Sequence, residues 1–189
     1  MTKQAKKTDQ NPDFGFFKPL ILLLGSNLGD RFGMLNRATD ALTTRLGAYS
    51  ARSRFYETAA WGKTDQPPFL NQALLFHVAL PPHELLRTAL AVEKQLGRER
   101  LEKWGPRLID IDLLSYGDYV LETADLTLPH PHLAARRFAL LPMQEIYPAW
   151  KHPGTKARLP ELVRNCPDQL PVSAIEYSSN YSCPHGNVL

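Results

Sequence analysis

"WGPRLIDIDLLSYG", residues 104–117, sets two acids, Asp110 and Asp112, into an apolar run where they alternate with Ile109, Ile111 and Leu113. The alternation predicts a strand, and in a strand residues i and i+2 face the same way. The two carboxylates therefore stand side by side, about 7 Å apart along the backbone. Acids so placed in a buried strand lose hydration and repel one another, so something positive must offset them. Arg98, Arg100, Lys103 and Arg107 precede them closely. On the residues alone two solutions stay open. The acids pair with Arg98 and Arg107, or they hold divalent cations while the arginines surround a charged leaving group, as in phosphoryl transfer.

Upstream, "PLILLLGSNLGD" (19–30) is an apolar run ending in turn residues, a strand followed by a helix start at Asn27 and Asp30. Leu28, Phe32, Leu35, Ala38, Leu42 and Leu46 then recur at helical spacing, and Gly47 closes the helix. "YSARSRFYET" (49–58) alternates as a second strand, and "FLNQALLFHVAL" (69–80) is a longer third. Pro82 suits the first turn of a second amphipathic helix that ends at Gly97. Strand, helix, strand, strand, helix, strand predicts an α/β (α+β) fold with a ferredoxin-like βαββαβ core, its helices on one face of a mainly antiparallel sheet. We expect one domain over residues 18–170, a disordered lead over 1–17 and a flexible tail over 171–189.

Composition narrows the function. Of 189 residues, 22 are basic and 19 acidic, and a net charge of +3 is too small to argue for nucleic acid. Cys166 and Cys183 have no metal or disulfide spacing. The polar start has no signal-type apolar stretch, and no run approaches the roughly 18 apolar residues of a membrane span. The expectation is a cytoplasmic monomer without a membrane or nucleic-acid partner.

Other residues fit an anion site. His130, in "LPHPHLAARRF", has the chemistry to donate to a phosphate, and Arg136 adds positive charge. Asn71 lies two residues after Phe69 on one strand face, where an amide suits the donor–acceptor edge of a heterocycle. "GSNLG" (25–29) lacks the full Gly-rich phosphate fingerprint and reads as structural, lining the pocket at most.

Four stretches together, "LGSNLGD", "FYETAAWGKTDQPPFLN", "VEKQLGRERLEKWGPRLIDIDLLSYG" and "LPHPHLAARRFALLPMQEIYP", resemble the 6-hydroxymethyl-7,8-dihydropterin pyrophosphokinase family over residues 20–148. The resemblance implies transfer of pyrophosphate from ATP to the hydroxymethyl group of the dihydropterin, with release of AMP. It implies two Mg²⁺ ions on Asp110 and Asp112, and Arg98 and Arg107 beside them as catalytic residues. It matches Glu93, Arg100, Trp104, Arg107, His130 and Arg136 to the nucleotide side. Thr58, Gly62, Phe69, Asn71 and Phe138 match the pterin side, the two phenylalanines as stacking partners. Residues 98–106, bounded by Gly97 and Gly105, match a loop that closes over the site. Leu90 and Asp125 depart from the family pattern on the adenosine side. The rival readings are a metal-dependent nucleotidyltransferase and a ferredoxin-like nucleic-acid-binding module.

Overall fold

The computed structural model describes residues 16–60, 65–98 and 105–176. Residues 20–24 are buried without alternation, which requires protein on both faces of their strand. That strand, β1 (Lys18–Ser26), is followed by α1 (Arg31–Leu46), β2 (Ala51–Arg52), β3 (Phe55–Thr58), β4 (Phe69–Val78), α2 (Pro82–Gln95) and β5 (Asp110–Tyr116). β6 (Leu121–Glu122) and β7 (Thr127–Leu128) form a small hairpin sheet, and α3 (Arg137–Ile146), α4 (Leu159–Arg164) and β8 (Val172–Ile175) complete the chain. The main sheet runs β5-β1-β4-β3-β8, antiparallel throughout, with β2 also paired to β4. Its first four strands carry the order expected of a ferredoxin-like core.

Leu20, Leu22 and Leu24 of β1 pack with Leu35, Ala38 and Leu42 of α1 and Leu85, Ala89 and Val92 of α2. Ile21 and Leu23 point the other way, onto Ala139, Leu140 and Met143 of α3 and Leu159 of α4. Helices therefore cover both faces, where the core pattern predicted one. Each buried leucine contributes about 1.5–3 kcal/mol, and the second layer is what permits the unbroken apolar run. No helix among the described residues is long and apolar enough to cross a membrane.

Three local expectations change. Asp30, not Asn27, caps α1, accepting the Gly33 amide at 2.9 Å; Asn27 is drawn into the interior by other partners. The stretch 49–58 splits into β2 and β3, because Ser53 turns its hydroxyl onto the Ala73 amide and its carbonyl onto the Gln72 side chain. The tail expected from 171 begins with a strand: β8 pairs with β3, and Ile175 packs on the α1–α2 side of the core. Residues 1–15 of the expected lead and 177–189 of the expected tail lie outside the described residues.

Candidate active site

Antiparallel pairing brings the C-terminal ends of β1 and β3 to the same edge as the N-terminal ends of β4 and β5. Across that edge Gly25 of β1 is paired with Asn71 of β4 on one side and with Asp110 of β5 on the other. Asp112 lies opposite Leu23, on the α3 side of the sheet. A register shift opposite Ile21 and Leu22 then turns Tyr116 toward α1 and α2, as a bulge does.

Both acids are met by arginine. Asp110 receives Arg98 Nη1 and Arg107 Nη1, each at 2.8 Å, and Asp112 receives Arg136 Nη1 at 3.1 Å. Arg98 also pairs with Glu93. Glu93 is only 3 % exposed and accepts the Ile111 amide at 2.7 Å, so its carboxylate fastens the β5 backbone and the Arg98 head together. Burial raises its pKa, with Arg98 opposing. Burial at the foot of the cleft, reinforced by the like charge of Asp110, pushes Asp112 up to about 7 against the opposing Arg136 and Arg107. His130 Nε2 is 3.3 Å from Arg136 Nη1 and its Nδ1 accepts the His132 amide. Burial, then the charge of Arg136, lowers its pKa to about 4, so the ring is neutral at pH 7.

Two cavities meet at these acids. The first is lined by Thr58, Gln66, Phe69, Asn71 and Phe138, with Arg107 and Arg136. Asn71, 3 % exposed, donates from Nδ2 to Thr58 Oγ1 at 3.1 Å, which fixes the orientation of its amide. The Arg136 guanidinium lies 5.7 Å from the Phe138 ring centroid. The second cavity is lined by Glu93, Arg98, Leu90, Asp125 and His130. Asp110 and Asp112 line both; among the described residues no other side chain does.

Of the residues singled out in the sequence, Thr58, Phe69, Asn71 and Phe138 thus share one cavity, and Glu93, Arg98 and His130 the other. Arg107 and Arg136, matched to the nucleotide side, line the first cavity instead, because each reaches across to an acid at the partition. Gly62, Arg100 and Trp104 lie outside the described residues, as do positions 99–104 of the expected loop. Gln66 lines the first cavity without having been singled out, and Gly25 lines it from the turn motif 25–29, which was read as structural and lining the pocket at most.

The donor set suits a hard cation. Among the described residues no three His, Cys, Asp or Glu groups converge on a point, so a closed protein cage is absent there. Two adjacent carboxylates are what Mg²⁺ uses when it keeps waters and takes its remaining oxygens from substrate phosphates.

Residues 21–148 match the sequence profile of the family described as 7,8-dihydro-6-hydroxymethylpterin-pyrophosphokinase (HPPK). A Synechocystis 2-amino-4-hydroxy-6-hydroxymethyldihydropteridine pyrophosphokinase is 41% identical over 156 residues, which are 81% of this chain and 80% of that protein. The protein of the same name from Porphyromonas gingivalis is 40% identical over 138 residues, 71% of this chain and 93% of its own; that from Methylorubrum extorquens is 45% identical over 126 residues, 66% and 80%. Among solved structures, wild-type Plasmodium falciparum HPPK-DHPS with STZ-DHP superposes with a TM-score of 0.64 at 16% identity, covering 78% of this chain. This chain spans 43% of that longer one, and at such identity the likeness concerns the fold.

Proposed function

The chain belongs to the 7,8-dihydro-6-hydroxymethylpterin-pyrophosphokinase family and is a diphosphotransferase of folate biosynthesis with ATP as co-substrate, and we propose that its two cavities seat the two substrates on either side of Asp110 and Asp112. The observation that carries this reading is the sharing of those two acids by both cavities. A group at the partition is the one place that reaches an acceptor hydroxyl and a triphosphate together.

In this reading the first cavity takes the pterin. Phe69 and Phe138 stack on its ring, and Asn71, held by Thr58, reads its polar edge; Gly62 belongs to the same pocket. The second takes the nucleotide, with His130 as a neutral donor and Arg100 and Trp104 as further contacts. Asp110 and Asp112 would hold two Mg²⁺ ions, which when bound would neutralise phosphate charge. Arg98 and Arg107 turn from Asp110 to the phosphates, where they meet the charge that grows on the AMP oxygen, and Arg136 turns from Asp112 to the nucleotide. An arginine of this kind contributes about 10³–10⁵ in rate. Glu93 keeps Arg98 aimed during that exchange.

The hydroxymethyl oxygen forms a bond to the β-phosphorus as the bond between that phosphorus and the oxygen bridging to the α-phosphorus breaks. AMP departs with the bridging oxygen, and the hydroxyl proton is released. Alignment of acceptor and phosphorus accounts for much of the barrier reduction. We further infer a monomer working in the cytoplasm, where ATP is abundant.

Incubation with MgATP and 6-hydroxymethyl-7,8-dihydropterin tests this. AMP must form only when the pterin is present and must vanish with a chelator. Pyrophosphate as the product would indicate nucleotidyl transfer and reject the proposal.

A further inference from the structure

The motif GSNLG lacks the full Gly-rich phosphate fingerprint, yet its Asn27 is only 2 % exposed. Its Nδ2 donates to Gln66 Oε1 and to Pro67 O, each at 3.1 Å. Its Oδ1 accepts the Arg107 amide at 2.8 Å, and its own amide donates to Arg107 O at 3.2 Å. One side chain thus holds two segments that lie 39 and 80 residues further along the chain. Arg31, at the start of α1, adds a bond from Nη1 to Pro68 O at 2.9 Å and an ion pair with Glu57 at 2.8 Å.

Both segments line the first cavity, but Arg107 alone also reaches the partition. Gln66 lines the first cavity beside Phe69 and Asn71. Arg107 pairs with Asp110 at the partition. A shift of one segment therefore either drags the other or leaves a buried amide unpaired, which is costly. Only an amide supplies two donors on one atom and an acceptor on the next.

We propose that Asn27 is a positioning residue that couples the acceptor pocket to the phosphate-side arginine, so that a ligand ordering one segment orders the other. This rests on the two-substrate reading above. Coupling is reciprocal: if the nucleotide tightens pterin binding, the pterin tightens nucleotide binding by the same factor.

Asn27→Asp separates the two links. It keeps the oxygen that accepts the Arg107 amide but sets a carboxylate against the Pro67 carbonyl. Gln66→Met removes the Gln66 half of that link from the other side and leaves the bond to Pro67 O, at a half-buried position where the fold is less exposed to failure. The probes are 6-hydroxymethyl-7,8-dihydropterin and the Mg²⁺ complex of α,β-methylene-ATP, whose bridging carbon blocks transfer. Calorimetry gives the pterin Kd with and without the nucleotide, and the ratio is the coupling factor.

In the unaltered protein that ratio should exceed about 10, within the usual 5–150-fold range of coupling. It should fall toward 1 in Asn27→Asp and part of the way in Gln66→Met, with nucleotide affinity alone changed by less than about threefold. An unchanged ratio in folded Asn27→Asp, or in Gln66→Met should the first variant fail to fold, overturns the role of Asn27. A ratio of 1 in the unaltered protein, with both probes bound, overturns it as well. Failure of the nucleotide to bind the unaltered protein, or of the pterin to bind it with the nucleotide present, overturns the two-substrate reading itself.

Discussion

Gly25 faces Asn71 across the pairing of β1 and β4, and a Cβ built on it would lie 3.0 Å from Asn71 Oδ1 and 3.8 Å from the Phe69 ring. The missing side chain is the space into which the first cavity extends, between the amide on one flank and Asp110 on the other. Glycine is needed there for close approach; its backbone is that of an ordinary strand.

Gly25→Ala should therefore weaken the pterin. Overpacking of a tight site costs about 1–3 kcal/mol, or roughly 5–150-fold in pterin Kd by calorimetry. Affinity for MgATP should stay within about twofold. An equal loss of both ligands would place the fault in the sheet, away from the pocket.

Asp112→Asn keeps the shape of the side chain and removes its charge. Pterin-dependent AMP release should drop by about 10³ or more, the scale on which positioned charge acts in phosphoryl transfer. Urea unfolding should show a folded protein, since a neutral amide replaces a carboxyl that burial already holds at a raised pKa of about 7. Turnover close to that of the unaltered enzyme would remove Asp112 from the proposed cation site.

Phe69→Ala tests stacking. A heterocycle on an aromatic face is worth about 1–3 kcal/mol, so pterin Kd should rise roughly 5–150-fold while nucleotide Kd holds. Phe69→Tyr should restore binding, because the ring face is unchanged.

His130 makes a prediction about stability. Its folded pKa of about 4 lies below the ordinary 6.5. The unfolded chain therefore binds the proton more readily, and this contribution is lost as pH falls from about 6.5 to about 4. The full effect is at most about 3 kcal/mol. Asp112, with its pKa raised, acts in the opposite sense, so the difference between unaltered protein and His130→Gln isolates the histidine. Denaturant unfolding at pH 7, 5.5 and 4.5 should show the variant losing less stability on acidification. Parallel losses in both proteins would assign the titration elsewhere.

Much of the site was legible in order along the chain. The alternation around Asp110 and Asp112 reports their common face because strand geometry has a period of two. Phe69 and Asn71 share a face for the same reason. Arg98 and Arg107 announce themselves by proximity to acids that need a counter-charge. The unbroken run at 20–24 also carries the fact that helices cover both faces of β1: without alternation a strand has no solvent side.

Contacts between distant segments were a different matter. That Arg136 meets Asp112, 24 residues away, and that Asn27 leaves the helix cap to Asp30 and joins residues 66–67 to Arg107, follow from where the strands end. Side-chain period is a local property, set by backbone geometry within a few residues, and so the sequence by itself determined β1, α1, β4, α2, β5 and the facing of the acid pair, while the split of 49–58, the cap of α1 and the strand β8 were settled by contacts between segments. Which cavity each residue lines, and which arginine neutralises which acid, was decided by antiparallel pairing, because only the assembled sheet brings four strand ends and the α3 terminus to one edge.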